Sequence, residues 1–531
     1  MEKGELQLLE RQTEISNQFD PPKRFYSEHA LTRAWRKGSY VWATILLAFA
    51  LVVVYYQMGQ DWTNPPWGPD KSPVWINIVI FTLLLFWIML LEGAHVSIVG
   101  LSSVDIETFK DTHPQSYTVC KWAHKGPNLE RFIVGRQFLL LFIVFMVSRL
   151  GGSDGSDLEN TGGRYFFIGE WEWSATADVI FIQNNVLLMI VIIVPGHLVS
   201  QLIAAGKMLD FLELPFAPIH TVMYPSMAFE TLGLTHCCYA LRDLFLRWAK
   251  LPPISGAKAH RKNWLYHARV LMSVCVVIFA SVFIVKGLFA EQTGATNGVG
   301  WNKLPGVGAF FVCIFFLFFI GCCEGFQIAA VTLAKVPSSE LRTKYPVAYR
   351  TALMLYTGRN LQAFLVGRQV FVAMLMVLLA KATGYAGTDG DLVTGSDWGM
   401  GRRFNEVLLQ TGILGAIFVV NVGQLSFRMA ATAFPILFIN NYVMYALLRV
   451  ALLVEMTGAF NSCWVLAWAV DHTLRLQHDP FDGEENIKSP AQVVLDRKES
   501  MGIPSPKGVS PFEFFQPERD ATTYAFEVSY I

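Results

Sequence analysis

Charged residues are scarce in this sequence. Only 16% of its 531 residues are Asp, Glu, Lys or Arg, whereas soluble domains usually carry about a quarter. The 42 basic and 42 acidic residues balance to a formal charge of zero, and no basic stripe of the kind that binds nucleic acid is present. Hydrophobic residues, by contrast, make up 53% of the chain. The composition therefore indicates a membrane protein and gives no support for a nucleic-acid partner.

Several other signals are absent. The eight cysteines show no C-x-x-C spacing and fall mostly within apolar runs, so we expect neither a disulfide framework nor a zinc site. The first 37 residues contain no apolar core of a signal peptide, so the first membrane span is expected to direct insertion. No H-E-x-x-H metalloprotease motif occurs. We expect no enzyme activity, no cofactor and no resident metal ion.

Long apolar segments dominate what is present. A helix needs about 20 mostly apolar residues to cross a bilayer, and ten segments meet or approach that length. The fold class predicted is an all-α polytopic membrane protein with ten spans, at residues 39–58, 75–100, 132–150, 179–205, 221–246, 267–290, 305–334, 365–384, 404–428 and 430–460.

An ordered set of motifs occurs twice. Gly-Arg-Gln is centred on Arg136 and again on Arg368, and a Glu-Gly pair begins at Glu92 and again at Glu324. The offset between the two copies is the same for both motifs, since 368 − 136 equals 324 − 92. Asn128 and Asn360 precede the two Gly-Arg-Gln copies at that same offset. Such order favours a tandem duplication of a five-span unit.

The duplication divides the chain into four regions. We predict a cytoplasmic N-terminal arm, two five-helix repeats, and a polar, largely disordered cytoplasmic tail without a coiled coil, at residues 1–37, 38–250, 251–474 and 475–531.

An odd number of spans per repeat predicts that the two halves are inverted in the membrane, as in many secondary transporters. The positive-inside rule places the basic N-terminal arm in the cytoplasm. However, the basic segments 242–269 and 331–364 would then face outward. Either these segments form interfacial amphipathic helices, or the number of spans in the middle of the chain differs by one.

Charged residues inside the predicted spans are the candidate site. Glu92, Glu324, Arg136 and Arg368 lie in apolar runs, where a charged side chain costs about 2.5–3.5 kcal/mol on insertion scales. One interpretation is a structural Glu–Arg pair that locks two helices in each repeat. The other is a polar cavity. The glycine that follows each glutamate favours the cavity, because glycine weakens a helix and lets an unwound turn expose its carbonyls.

The residue types constrain the ligand. Glu92 and His95, like Glu324 and Gln327, are spaced i, i+3 and share a helix face. One glutamate and one arginine cancel in charge, while Arg donates hydrogen bonds, Glu accepts them and Gln does both. A site of zero net charge with both donors and acceptors suits a small neutral polyhydroxy solute. Phosphate would need an excess of arginine.

These motifs resemble a known family. Glu-Gly-x-Gln in the second half, with Glu-Gly-x-His in its place in the first, is followed by Gly-Arg-Gln in each half between about residues 75 and 460. This pattern is similar to the silicic acid transporters of diatoms and related silicifying eukaryotes. The resemblance implies sodium-coupled uptake of orthosilicic acid across the plasma membrane, in a multi-pass protein whose N- and C-termini are cytoplasmic. The partners so implied are orthosilicic acid, the sodium coupling ion and the lipid bilayer. Association into a homo-oligomer stays open.

The resemblance also implies the substrate-binding residues. Twelve positions correspond to the family motifs, namely Glu92, Gly93, His95, Gly135, Arg136, Gln137, Glu324, Gly325, Gln327, Gly367, Arg368 and Gln369. His95 departs from the pattern, since glutamine is expected there. Histidine titrates near pH 6.5, but we expect a tolerated replacement rather than a proton-coupling role.

Other polar residues in the spans are secondary candidates. Glu230 and Glu455 occur in related contexts late in each half, and are predicted to be sodium ligands or gating residues. Gln201 and Gln424 are interpreted as repeat mates with interhelical hydrogen bonds. His197 is predicted to be a packing histidine.

Three functional classes are compatible with these features. The favoured one is a sodium-coupled transporter that takes up silicic acid by alternating access. The second is a passive channel for a small neutral hydroxylated solute such as silicic or boric acid. The third, a membrane enzyme or receptor, lacks a nucleophile or metal set.

Overall fold

The computed structural model describes residues 30–63, 65, 72–126, 128–153, 167–168, 171–216, 218–248, 264–296, 304–333, 338–356, 360–384, 408 and 412–476. Secondary structure within them is helical apart from a two-residue antiparallel ribbon, which pairs Phe167–Ile168 with Trp171–Glu172. Most of the predicted N-terminal arm and almost all of the predicted tail lie outside the described residues.

Eight helices in the described part of the chain are long and apolar enough to cross a membrane. They are Gly38–Gly59, Val74–Gly100, Asn128–Gly151, Val186–Gly206, Trp264–Phe289, Gly306–Ala330, Ala363–Thr383 and Ile413–Ala431. Each corresponds to one of the ten segments expected from hydropathy. The chain is therefore an all-helical, multi-pass membrane protein.

The fifth and tenth expected spans, 221–246 and 430–460, do not form single long helices. Gly233, with a φ of +80°, and Gly458, with a φ of +69°, end their helices in the left-handed region, which glycine adopts without steric cost. A hydropathy window registers the apolar run on both sides of such a break but not the break itself. These two spans are therefore not found among the described helices.

The helices are numbered here in chain order. The first half contains α1 (Ala30–Gly59), α2 (Val74–Gly100), α3 (Pro114–Ala123), α4 (Asn128–Gly151), α5 (Val186–Gly206), α6 (Met208–Glu213), α7 (Tyr224–Thr231) and α8 (Cys237–Trp248). A π-helical segment, Ile192–Val199, lies within α5, and another, Ile219–Met223, leads into α7.

The second half repeats this order with one extra short helix. It contains α9 (Trp264–Phe289), α10 (Gly306–Leu333), α11 (Ser338–Lys344), α12 (Pro346–Leu355), α13 (Asn360–Thr383), α14 (413–433), α15 (Pro435–Ile439), α16 (Tyr442–Met456) and α17 (Ser462–Leu474). The central part of α14, Val419–Leu425, is π-helical like the central part of α5.

The bounds of corresponding helices keep the offset of the repeated motifs. The start of α3 is as far from that of α12 (346 − 114) as the start of α4 is from that of α13 (360 − 128). Beyond these helices the offset is slightly smaller. Asn185 and Gly412, both in the left-handed conformation, immediately precede α5 and α14 and define the new offset (412 − 185). The helix order of the two halves is thus the same.

The corresponding helices α4 and α13 run in the same direction. Arg149, in the last turn of α4, lies against Gly384 just beyond the end of α13. At the opposite ends, Glu230 of α7 pairs with Arg131 in the first turn of α4, and Gly233 packs against Arg269 near the start of α9. Corresponding helices α4 and α13 therefore start on one side of the membrane and end on the other.

The arrangement of α4 and α13 favours parallel halves over the inverted halves expected from the sequence. An inverted pair requires an odd number of crossings per half, but each described half has four helices long enough to cross. With an even number of crossings per half, the segment between α8 and α9 and the segment around α12 lie on the side of the membrane from which α1 starts. The conflict between inverted halves and the basic segments 242–269 and 331–364 then disappears.

The last helix of each half packs on the other half. α8 lies against α14, where Cys237 Sγ donates to Asn421 Oδ1 at 2.9 Å. α17 lies against α5, where Lys207 pairs with Asp471 and its Nζ also donates to the Leu476 carbonyl at 2.9 Å. This exchange of terminal helices ties the halves together around the buried faces of α4, α5, α13 and α14.

Candidate functional site

The predicted Glu–Arg pair of the first half exists. Nη1 of Arg136, on α4, donates to Oε1 of Glu92, on α2, at 3.2 Å, and both side chains are buried. Nη2 of Arg136 donates to Oε1 of the adjacent Gln137 at 2.9 Å. Because each charge has a partner, the pair avoids most of the penalty of placing an isolated charge inside the protein.

The second half has a looser version of the same pair. Nη1 of Arg368 lies 3.5 Å from Oε1 of Glu324, and Nη2 donates to Oε1 of Gln369 at 2.8 Å. Both charged side chains are buried. The motifs that recur at a constant offset in the sequence therefore place the same three groups together in each half.

The glutamines of the two Gly-Arg-Gln motifs join the halves. Nε2 of Gln137 donates to Oε1 of Gln424 on α14 at 2.9 Å, and Nε2 of Gln369 lies 3.3 Å from Nδ1 of His197 on α5. His197 also lies 3.4 Å from Oε1 of Glu92. We call these residues, with Glu92, Arg136, Glu324, Arg368, Gln201 and Arg428, the central network.

Gln201 and Arg428 complete the central network. Nε2 of Gln201 donates to Oε2 of Glu92 at 2.6 Å. Arg428 reaches the corresponding Oε2 of Glu324 through Nε at 2.9 Å and Nη2 at 2.8 Å. Arg428 is not among the predicted site residues, because the hydropathy pattern places it at the end of a span, whereas the helix continues to residue 433.

The repeat mates of the amides also differ from the prediction. Gln201 corresponds to Arg428 and His197 corresponds to Gln424, since both pairs have the offset that relates α5 to α14 and occupy the same places in the network. The expected pairing of Gln201 with Gln424 is therefore wrong. The interpretation of His197 as a packing residue misses its contacts with both halves. The change of offset and of residue type conceals these matches in the sequence.

His95 and Gln327 lie one helical turn beyond the glutamates, on the same faces. Both are buried. His95 is within electrostatic range of Arg136 and of Arg428 from the other half. Nε2 of Gln327 has no hydrogen-bond partner among the described residues. Both residues therefore border the central network.

The four motif glycines pack helices closely instead of unwinding them. α2 and α10 are unbroken at Gly93 and Gly325, so the expected unwound turns do not occur. A Cβ at Gly93 would lie 2.1 Å from the ring of Phe211, and one at Gly325 would lie 2.5 Å from the ring of Phe438. The rings of Phe211 and Phe438 can pack here only because Gly93 and Gly325 have no side chain.

Gly135 and Gly367 have a similar role on the Gly-Arg-Gln helices. A Cβ at Gly135 would lie 1.9 Å from the carbonyl oxygen of Ser226 on α7, and one at Gly367 would lie 2.0 Å from that of Ala451 on α16. Small residues permit such close helix contacts in membranes. The glycines thus position the arginine that follows each of them.

Asn128 and Asn360 anchor the starts of these helices. Nδ2 of Asn128 donates to the carbonyl of Trp122 in α3 at 3.0 Å, and Nδ2 of Asn360 donates to that of Met354 in α12 at 2.7 Å. Each asparagine thus satisfies a carbonyl at the end of the preceding short helix. Asn128 and Asn360, which occur at the same offset as the repeated motifs, therefore stabilise equivalent turns in the two halves.

The two secondary candidates lie outside the central network. Glu230 pairs with Arg131 at 2.7 Å and lies 3.5 Å from Nε2 of His236, at the start of α4 rather than beside Arg136. Glu455 is half-buried near the end of α16. Their roles as sodium ligands or gating residues remain predictions.

The central network can recognise a hydroxylated solute. It combines carboxylate acceptors, guanidinium donors and amides that do both, in a region whose members are all less than a tenth exposed. Inside such a region a hydrogen bond is electrostatically stronger than in water, and an unmatched group is more costly. A ligand that both donates and accepts in several directions would fit; a purely apolar one would not.

A family model described as silicon transporter matches residues 32–505, which is most of the chain. The chain therefore belongs to the silicon transporter family, and this family is one of transporters rather than enzymes. No curated protein and no solved structure matches the chain.

Proposed function

We propose that this silicon transporter carries orthosilicic acid between its two halves by sodium-coupled alternating access, with the central network as its solute site. Membership in the family supports silicic acid as the solute. Orthosilicic acid has four hydroxyls on a tetrahedral centre, each able to donate and accept a hydrogen bond. This matches the mixed donors and acceptors of the network.

One observation carries the assignment of the site. The hydrogen-bond network passes from Glu92 through Arg136 and Gln137 to Gln424, and from Arg368 through Gln369 to His197. Each chain of contacts begins in one half and ends in the other. A solute bound at either arginine therefore lies at the boundary between the halves, so a relative motion of the halves exposes it to one side or the other.

We infer the motion from parallel halves, which the shared direction of α4 and α13 supports. Transporters with parallel repeats are built around an axis along the membrane normal, and their halves rock against each other around a fixed site. We infer this rocking motion for the two repeats, 38–250 and 251–474. Inverted halves would instead alternate by exchanging their conformations.

The distribution of charge supports the proposed orientation. The segments 101–127, 207–263 and 334–359 together contain fifteen Lys and Arg residues. The segments on the other side of the membrane contain only Lys71, Arg164, Lys303, Arg402 and Arg403. By the positive-inside rule, the basic side is the cytoplasmic one. We infer that both termini face the cytoplasm and that the membrane is the plasma membrane.

Sodium coupling is the part of the proposal that comes from the family resemblance. Sodium prefers oxygen ligands, which backbone carbonyls and carboxylates can supply without a distinctive motif. The energetic role of sodium would be to bind one conformation more tightly than the other, since a ligand shifts an equilibrium only by its differential affinity.

A flux assay tests the proposal. The purified full-length protein is reconstituted into liposomes, and silicic acid uptake is followed with an inward sodium gradient or an equal potassium gradient. We expect accumulation above equilibrium only with sodium. Equilibration without accumulation in either case would indicate the channel instead, and no silicic acid uptake at all would reject the solute assignment.

A further inference from the structure

The two halves of the central network differ at two matched pairs of residues, His197 with Gln424 and Gln201 with Arg428. Gln201 and Arg428 occupy corresponding positions on α5 and α14 and reach the same oxygen, Oε2, of Glu92 and of Glu324. Glu92 thus accepts a hydrogen bond from the neutral amide of Gln201. Glu324 instead accepts hydrogen bonds from two nitrogens of a second guanidinium, that of Arg428.

This difference changes the hydrogen bonds of the motif arginines. Arg136 Nη1 donates to Glu92 at 3.2 Å. Arg368 Nη1 stays 3.5 Å from Glu324, and neither this nitrogen nor Nε has a hydrogen-bond partner among the described residues. A carboxylate that already receives two charge-assisted bonds from Arg428 is a weaker acceptor for a third nitrogen. Arg428 thus keeps Arg368 from being fully engaged by Glu324.

A third buried donor belongs to the same half. Nε2 of Gln327, one turn after Glu324, also has no partner among the residues that the structure describes, although the side chain is 1% exposed. Arg368 is 3% exposed. Buried donors are almost always hydrogen-bonded in native proteins, so several unmatched ones in one region point to a ligand.

We propose that the two half-sites are not equivalent: Arg368 and Gln327 hold the solute, and Arg428 is a positioning residue that keeps Arg368 available. The Arg136 half-site, in which Gln201 leaves Glu92 and Arg136 paired, is chiefly structural. This inference rests on the proposed function and specifies where within the central network silicic acid binds.

The chemistry of the ligand follows from the unmatched groups. The unmatched nitrogens of Arg368 and Gln327 are all N–H donors, so a group bound to them must present acceptor oxygens. The hydroxyl oxygens of one silicic acid molecule meet this need, and the orientation of Arg368 is fixed because its Nη2 is bonded to Gln369 at 2.8 Å. One solute molecule per transport cycle is therefore expected, although the chain carries two copies of the motif.

The internal duplication supplies the test. In full-length protein in liposomes, Arg428→Gln gives the second half the partner that the first half has. Glu324 should then engage Arg368, and the KM for silicic acid should rise at least tenfold while kcat falls less than threefold. Arg428→Lys, which keeps a cation beside Glu324, should restore part of the lost affinity. A purely structural role of Arg428 would lower kcat and the yield of folded protein without this change in KM.

A second comparison does not depend on Arg428. Arg368→Lys should raise the KM at least tenfold more than Arg136→Lys does, whereas Arg136→Lys should lower the thermal stability more. Equal KM changes for the two arginine variants would overturn the non-equivalence while leaving silicic acid transport intact. Absence of silicic acid uptake by the unmodified protein would instead reject the proposed function.

Discussion

The side-chain amide of Gln137 donates to that of Gln424 at 2.9 Å, across the boundary between the two halves of the chain. Both residues are buried. The first belongs to a motif that the sequence shows twice, whereas the second belongs to no repeated motif. The contact shows how a repeated motif in one half depends on an unrepeated residue of the other.

This contact should be measurable as a coupling energy. Hydrogen bonds between membrane helices contribute about 0.6 kcal/mol on average and up to about 1.7 kcal/mol in double-mutant cycles. We expect Gln137→Ala and Gln424→Ala to be non-additive by an amount in this range, measured by unfolding in mixed micelles. A cycle with Gln137→Ala and a distant change such as Tyr445→Phe should be additive, and additivity of the first cycle would contradict a direct bond.

The close contact at Gly135 should tolerate no side chain. Gly135→Ala would place a Cβ 1.9 Å from the Ser226 carbonyl oxygen, so α4 and α7 must separate. We expect a loss of about 1–3 kcal/mol, the usual cost of overpacking, seen as a lower melting temperature in detergent. Gly38→Ala is the matched control, because nothing lies within 4 Å of its added Cβ. It should leave the melting temperature unchanged or raise it slightly, since alanine favours helix.

The direction of the halves can be tested by accessibility. Epitope tags inserted in the segments 249–263 and 154–166 should be reached by antibody from opposite sides of the membrane, with 249–263 on the same side as the N-terminus. Four crossings per half lead to this result. Detection of the 249–263 tag on the side opposite to the N-terminus would instead support a first half with five crossings.

The ion pair between Lys207 and Asp471 should hold α17 against the first half. Lys207 is buried while Asp471 is about one third exposed, so Lys207→Ala leaves Asp471 free to move into water with its helix. We expect faster hydrogen exchange in residues 462–474, measured by mass spectrometry. The exchanged pair Lys207→Asp with Asp471→Lys should restore part of the protection, and unchanged exchange in Lys207→Ala would show that apolar packing alone holds α17.

The thiol of Cys120 should be inert at physiological pH. Burial raises the pKa of this thiol, which lies on α3 outside the membrane-spanning helices, to about 12. Because the thiolate is the reactive form and a raised pKa lowers its population, maleimide should label Cys120 very slowly at pH 8 and faster as the pH rises. A matched control carries Cys120→Ser with Lys121→Cys at the exposed neighbouring position. Equal labelling rates at the two positions would contradict the burial of α3.

The Glu–Arg pairs can be located from the sequence because motif and spacing are both repeated. The separation of Glu92 from Arg136 equals that of Glu324 from Arg368 (136 − 92 and 368 − 324), and a repeated long-range spacing indicates a repeated contact. Eight of the ten predicted spans also correspond to long helices, since an apolar run of sufficient length leaves few alternatives to a crossing helix.

Other features cannot be read from the sequence alone. Arg428 and Gln201 perform the same task with different side chains, so no motif connects them. The sequence favours an unwound turn at Gly93, yet the role of this glycine depends on the ring of Phe211, which belongs to a different helix, α6. The left-handed conformations of Gly233 and Gly458, near which the helices of the fifth and tenth predicted spans end, also leave no distinctive signal in a hydropathy pattern.

The shared direction of the two halves also bears on how such a chain can arise by duplication. Inverted repeats require an ancestral protein able to insert in both orientations before its gene was fused with a second copy. Each half has four long helices among the described residues, so with four crossings a copied half appended to the first would enter the membrane in the orientation it already had. An ancestor with one fixed orientation, paired with an identical copy across the contact now formed by α4 and α13, is sufficient.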